Sequence, residues 1–535
     1  MDTIFGKFDR KRKEIELNNN RYSYYEESDY ICSIYGDIWI NESYNDYPNI
    51  VKLYKECGDD IVNQIEGLFY LIIYEKRSKV LKIYQDYYTS SETLYYTVLK
   101  ELIFFSNDIK QLISLPGITR EFNDAMSAGF VKYGYVPGRE TLIKGIYKIE
   151  PFHMLLCQDQ QVLQRRLEYH FPILSEDESK RRWVEDLNRA IRLNTPDEET
   201  VTFPLSGGFD SNYMMHYYSE QEVESNIFSV GGTDGIDETE VVRKIVKSYG
   251  LEKNRLTICY VSDDMLSNLP DIIWRLGGLM YQRGIFLQYK LAYELYHAGV
   301  KNLVCGECAD QVMNEKFLGS GIRNENPDYK GQSNPYDFAA HIILKKSGIM
   351  LNSFGVKGYY PYMNQQFVTT AIGVGRLNGT DKWFHRKICN DILPDDVKKC
   401  LHKSGGATHI HALFASDEEK KRFIRIVENS TLFKENLPSR PPKKTVGERI
   451  QFIISKYKKY SKGLIRRLRA VLRVRGIRAL SPEYRRIELR LRRDMSYFYL
   501  MIFKELFCSE QTERYLKEGV KSFDVHEYIK MLSME

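Results

Sequence analysis

The sequence predicts two architectures in one chain. An antiparallel α+β domain covers about residues 1–170. An α/β part with a parallel sheet follows over residues 171–535, and its C-terminal portion is helical. Three observations predict this. Short β-rich runs separated by turn residues fill the first third. Beyond Val201 strands alternate with helices, the pattern of a parallel, doubly wound sheet. From about Asp337 the chain reads mostly helical.

The elements follow in order. Residues 31–40 are rich in β-formers and stop at the turn signal Asn41. Residues 67–74 and 80–84 are apolar runs joined by the charged turn Glu75-Lys76-Arg77-Ser78, a hairpin pattern. Residues 108–115 predict a short helix ending before Pro116-Gly117. Residues 135–139 predict a turn, and residues 143–149 and 154–157 two more strands. After Pro172, residues 176–193 are charged with helical periodicity and close at Thr195-Pro196-Asp197. Strands are expected at 201–205, 227–230, 256–261 and 302–305. Helices are expected between them at 211–218, 238–249 and 288–298.

Composition narrows the function classes. The 535 residues suffice for two to four domains, and 43% hydrophobic with 28% charged residues is ordinary for a globular chain. A net charge of +5 is small for this length, so no nucleic-acid partner is expected. The basic residues gather at about 440–493, within which 463–473 form a basic amphipathic stretch. A solvated helix face, a peptide-docking surface, an acidic partner and a membrane surface all fit that stretch. No apolar run approaches the roughly 18 residues of a transmembrane helix. The N-terminus lacks a signal-peptide pattern. A cytoplasmic location is therefore expected, and the odd, scattered 9 cysteines suit a reducing compartment. Cys305 and Cys308 lack a second pair, and His402, His409 and His411 lack partner carboxylates, so neither group predicts a metal site.

The chemistry centres on Ser206-Gly207-Gly208-Phe209-Asp210-Ser211, between a predicted strand and a predicted helix. Two glycines let backbone N–H groups approach a phosphate, and Ser206 and Ser211 add hydroxyl donors. The following helix aims its positive end at the same place. Asp210 would repel a phosphate unless a cation lay between them, which points to Mg²⁺. A second acidic element, Cys305-Gly306-Glu307-Cys308-Ala309-Asp310, follows a later strand. Ligands of open α/β sheets bind at the carboxyl ends of the strands, so Asp210 and Asp310 are expected to share a metal beside a triphosphate.

These motifs resemble the asparagine synthetase family. Residues 206–211 match its S-G-G-x-D-S loop, and Gly306-Glu307-Cys308-Ala309-Asp310-Gln311 resembles G-E-G-A-D-E with Cys308 and Gln311 as departures. Phe228-Ser229-Val230-Gly231 resembles the strand that holds the adenine, and Asp237-Glu238 the acidic pair after it. Tyr135-Val136-Pro137-Gly138 and residues 143–151 resemble G-Y-V-P-x-P…I-x-x-G-I-x-K-L-P-P. Pro361-Tyr362-Met363-Asn364 stands where the family has P-F-L-D, and Lys382-Trp383-Phe384-His385-Arg386 is similar to K-x-x-L-R. Lys403-Ser404-Gly405 resembles R-x-K-x-G, with Leu401 in place of Arg. That makes Lys403 the candidate catalytic lysine, with Lys398 and Lys399 as alternatives.

The resemblance implies a glutaminase-like (Ntn-type) sandwich followed by an ATP-pyrophosphatase synthetase domain. It also implies ATP and Mg²⁺ as cofactors, and a binding set of Ser206, Gly207, Gly208, Asp210, Ser211, Val230 and Gly306. Asp210 and Asp310 would hold the metal, Lys403 would neutralise phosphate charge, and Glu307 would position an amine or take its proton. Three departures are informative. Asp2 replaces the N-terminal cysteine of the glutamine-using members, Glu66-Gly67 replaces N-G, and the R-G-P-D loop is missing. A carboxylate cannot replace a thiolate attacking an amide. The pattern is similar to that of β-lactam synthetases and lasso-peptide macrocyclases, which imply an amide formed within one substrate. The expected partners are a peptide or small-molecule carboxylate, with a leader protease or precursor peptide alongside. Amidation of a small acid and a non-catalytic nucleotide-binding scaffold are the competing readings.

Overall fold

The computed structural model describes residues 3–532, apart from 20–23, 87–90, 159–160, 171, 173, 232–238, 252–254, 262–263, 283, 314–341, 376–381, 402–412, 415–416 and 436–481. Asp2, Asp237, Glu238, Lys403 and most of the basic 440–493 stretch therefore lie outside the described residues.

The first part contains β1 (Ile4–Asp9), β2 (Glu14–Asn19), β3 (Tyr24–Glu26), β4 (Tyr30–Ile40), β5 (Ser43–Tyr44), α1 (Tyr47–Cys57), β6 (Glu66–Glu75), β7 (Val80–Gln85), β8 (Tyr95–Leu99) and β9 (Leu102–Ser106). Then come α2 (Ile109–Ile113), α3 (Ser127–Tyr133), β10 (Ile146–Lys148), β11 (His153–Gln158) and β12 (Gln161–Arg166). Two antiparallel sheets result, in the orders β10-β8-β9-β1-β2 and β12-β11-β7-β6-β4-β3. The expected hairpin is β6–β7, with Glu75 opposite Val80.

β6 shows why its sequence is continuously apolar. Tyr70, Ile72 and Tyr74 face the first sheet through Ile4, Phe8, Ile103 and Phe105. Phe69, Leu71 and Ile73 face α1 through Ile50, Val51 and Tyr54. A strand buried on both faces carries no alternation. The strand expected at 143–149 is shorter than predicted. Only Ile146–Lys148 pairs regularly, and Ile143 makes one isolated bridge with Phe122.

The second part opens with α4 (Glu176–Leu193). Ser175 caps it by accepting from the Glu178 N–H, and Glu176, Asp177 and Glu178 fill the first turn, where the helix dipole favours acids. It continues with β13 (Thr200–Pro204), α5 (Phe209–Glu220), β14 (Glu224–Gly231), α6 (Thr239–Ser248), β15 (Leu256–Tyr260), α7 (Leu269–Leu276), α8 (Ile285–His297), β16 (Asn302–Val304) and α9 (Ala309–Val312). α10 (Leu344–Ser353), β17 (Lys357–Tyr359), α11 (Gln365–Gly375), α12 (Trp383–Ile392) and α13 (Asp395–Cys400) follow. Helices at Asp417–Asn429 and Pro482–Cys508 carry the chain toward its end.

β13, β14 and β15 pair in parallel, as do β16 and β17, and β16 runs beside β13. The chain leaves β13 toward β14 on one side and returns to β16 on the other. The crevice between β13 and β16 is thus the topological switch point, where such sheets bind ligands. β17 was not expected in a stretch read as helical.

One hydrophobic core crosses between the two parts. Tyr95, Phe104, Ile109 and Phe130 belong to the same buried cluster as Leu276, Met280, Tyr499 and Phe503. Polar links add to it: Lys357 pairs with Asp37 at 2.5 Å and Arg189 grips Glu66 through two hydrogen bonds of 3.1 Å. No helix among the described residues is long and apolar enough to cross a membrane.

Candidate active site

The loop after β13 is held by its own side chains. The Ser211 hydroxyl accepts from the Ser206 N–H at 3.1 Å, and the Gly208 N–H donates to Ser206 Oγ at 3.2 Å. Fully buried Asn212 donates to the Ser206 and Gly208 carbonyls at 2.9 and 2.8 Å. The Ser206 and Ser211 hydroxyls lie 3.1 Å apart, so both bond within the loop in addition to being near its mouth. α5 starts at Phe209, two residues earlier than expected, which puts Asp210 inside the first turn. Gly208 enters that helix at φ −85°, an ordinary conformation, so its value lies in having no side chain. Val230 is half-buried near the end of β14, one strand over, where Leu205 N–H bonds Phe228 O at 2.8 Å.

The loop after β16 meets this one from across the crevice. A Cβ on Gly306 would lie 3.9 Å from the Ser211 nitrogen. Cys308, buried, takes φ +67° and so occupies the left-handed region that favours glycine, at a cost of about 1–2 kcal/mol. This accounts for the glycine in the motif it resembles. The turn presents Glu307 on one side and Asp310 on the other. Glu307 pairs with Lys346 of α10 at 3.4 Å.

Asp210 and Asp310 converge on one cation. Lys382, nearly buried, hydrogen-bonds Asp210 and reaches Asp310 at 2.8 Å. Burial opposes its charge, but Asp210 and Asp310 outweigh burial and raise its pKa above the usual lysine value. Tyr362 donates to the Asp210 carbonyl at 2.9 Å and fixes the backbone there. His385 is fully buried, with Nε2 3.5 Å from Asp210 Oδ1. Burial pushes its imidazole down to about 4, so the ring is neutral near pH 7.

The donor set fits Mg²⁺. Two carboxylates already gather on a single cation, and Asp210 Oδ1 is buried without a hydrogen-bond partner among the described residues. Among those residues no group of three or more His, Cys, Asp or Glu side chains gathers to hold a metal. Phosphate oxygens and water would have to complete the coordination, as is usual for this ion.

Sequence reasoning picked out Asp210, Asp310, Glu307 and the loop, which the fold brings together at one crevice. It gave no role to Lys382, His385, Tyr362, Asn212 or Lys346. The resemblance of residues 382–386 to K-x-x-L-R is the signal that pointed to this stretch, without giving Lys382 a role. Lys398 and Lys399 pair with Asp395 and Asp396 of their own short helix, each at 2.9 Å. Glu66 stands where the family has Asn. Its carboxylate is gripped by Arg189 and accepts from Asn364 at 2.8 Å.

The family profile of a glutamine amidotransferase domain matches residues 39–169, and that of asparagine synthase matches residues 182–326. The chain belongs to the asparagine synthetase family. Asparagine synthetase [glutamine-hydrolyzing] 1 of Bacillus subtilis is 22% identical over 52% of this chain and 43% of its own length. Putative asparagine synthetase [glutamine-hydrolyzing] 2 of Methanocaldococcus jannaschii is 24% identical over 41% of the chain and 45% of its own length. The matched stretches thus span less than half of these asparagine synthetases. A shorter match, 36% identical over 74 residues (14% of this chain and 10% of the relative), is to asparagine synthetase [glutamine-hydrolyzing] 2 of Bacillus subtilis.

Proposed function

We propose that the protein is an ATP-dependent ligase that adenylates a carboxylate, releases pyrophosphate, and passes the acyl group to an amine with loss of AMP. The observation that carries this reading is the convergence of Asp210 and Asp310 on Lys382 at the switch point, beside the N-terminus of α5. The loop of residues 206–211 binds pyrophosphate through backbone N–H groups. Lys382 balances its charge, a role to which Lys403 contributes as charge develops on the phosphate and the tetrahedral centre. Asp210 and Asp310 would hold Mg²⁺, which supplies charge neutralisation and polarises a phosphoryl oxygen. Val230 lines the adenine side, and Gly306 lets the two loops approach. Glu307 serves the amine.

Glutamine is not the nitrogen source in this reading. Asp2 cannot act as a thiolate, and the Glu66 carboxylate is committed to Arg189 and Asn364. A tethered amine is therefore favoured, with a peptide macrolactam first and a small-molecule lactam next. Amidation of a small acid is the second reading, since Glu307 resembles its counterpart in the asparagine-forming enzymes.

The test is AMP and pyrophosphate release from ATP and Mg²⁺ with aspartate plus ammonium, amino-carboxylates and synthetic peptides bearing an acidic side chain. Release that depends on one substrate and falls at least about 100-fold in Asp310→Asn is expected. ATP binding with no release from any substrate would turn the reading toward a nucleotide-binding scaffold.

A further inference from the structure

α10 lies between the two halves of the molecule and uses a different face for each. Lys345, Gly348 and Asn352, spaced i, i+3 and i+7, share one face. On it the Lys345 ammonium donates to the Glu92 carbonyl. Asn352 donates to the Glu92 carboxylate at 2.6 Å and to Tyr35 Oη at 3.3 Å. Gly348 lies against Ser91 so closely that a Cβ would meet the Ser91 carbonyl oxygen at 2.1 Å. This face is fastened to the N-terminal sandwich.

The next residues turn toward the other loop. Ser347 accepts from Tyr360 at 3.2 Å and lies 3.9 Å from the Cys305 thiol. Lys346 is 8% exposed, and Glu307 at 3.4 Å is its ion-pair partner among the described residues. Glu307 immediately precedes the left-handed Cys308, on the turn that opens α9. An almost buried ammonium at 3.4 Å from one of its oxygens fixes where the other oxygen points.

We propose that Lys346 is the positioning residue for Glu307, and that the docking of α10 on the N-terminal domain holds Lys346 in place. The inference rests on the adenylating reading above. In the step concerned the amine nitrogen attacks the acyl carbon and the C–N bond forms. The bond from that carbon to the phosphate oxygen breaks, AMP leaves with the electron pair, and the amine proton passes to Glu307. Lys346 touches neither reactant. It acts through Glu307, so it governs amide formation and not adenylation.

The two half-reactions separate the roles. The full chain is assayed for ATP–pyrophosphate exchange and for amide product, with L-aspartate and acidic synthetic peptides as carboxylates. Lys346→Met should leave exchange within about twofold and lower amide formation about tenfold or more. Lys346→Arg should recover part of the loss. Asn352→Ala, on the face fastened to the N-terminal sandwich, should lower amide formation in the same direction by less. Equal loss in both half-reactions, or no loss in amide formation, would overturn the proposal. If the unaltered protein shows no exchange with any carboxylate, it is the adenylating reading that fails. Hydrogen exchange on the ligand-free protein then decides the positioning claim. Lys346→Met and Asn352→Ala should each speed exchange at the amides of 305 and 311–313 severalfold, and unchanged protection there would refute it.

Discussion

At the scale of residues, Lys382 and Cys308 shape much of the site. Lys382 is the charge that two distant acids share, and it stands 172 residues beyond Asp210 in sequence. The motif around Lys382 was visible in the sequence, but a pairing across that distance was not, so the loop and its acids were given roles and their cation was not. Lys382→Met removes the ammonium that the proposed reading sets against the pyrophosphate, and pyrophosphate release should fall by about 100-fold or more. Steady-state release assays at saturating ATP would read this, and retention of activity would move the pyrophosphate contact elsewhere. Cys308 offers a cleaner test of strain. At φ +67° glycine removes about 1 kcal/mol of backbone cost while losing a buried thiol's packing. Cys308→Gly should therefore unfold within a few degrees of the unaltered protein. Cys308→Val, branched at a left-handed position, should unfold well below it in thermal denaturation.

Among the elements, legibility followed the strength of the local signal. α4 was readable end to end because its cap, its acidic first turn and its periodicity agree. β6 was readable because burial on both faces leaves an unbroken apolar run, and β7 because Lys82 alone interrupts the apolar residues 80–84. β1 was not, and the reason is Gly6. A glycine within a strand reads as a breaker, yet here it lies opposite Phe105, whose ring would overlap any Cβ at 2.0 Å. The aromatic ring fills the space the glycine leaves. β17, with three residues between a helix and Pro361, is too short to carry any periodicity. It exists because the Cys305 N–H bonds Tyr359 O at 2.7 Å, which extends the pairing with β16 and aims the acidic loop. The helix that begins at Phe209, and not at Ser211, moved Asp210 from a loop into a first turn. That shift of two residues decides which way its carboxylate faces.

For the molecule as a whole, buried lysines at the junction set a pH dependence. Burial pushes Lys148 down to about 7, against the pull of Glu150 and Glu140. It pushes Lys345 down to about 7 as well, with Asp86 and Glu92 opposing and Lys148 adding to the effect. Each folded pKa lies below the ordinary lysine value of 10.5. Between those values the unfolded chain holds a proton that the folded chain lacks, so these groups make stability rise with pH from about 7 upward and add no slope below it. Urea midpoints at pH 7 and pH 9 should show this as a difference between the unaltered protein and Lys148→Met or Lys345→Met, in which that part of the rise disappears. A rise of equal size in the variants would place the titration elsewhere. The core that runs unbroken from Tyr95 and Phe104 to Tyr499 and Phe503 has a consequence for inheritance. Drift can erase a nucleophile in an ancient pocket at little cost to folding, but each large aromatic lost from this seam costs about 3–5 kcal/mol. Selection on the second half of the chain therefore also preserves the first, whatever chemistry the first performs.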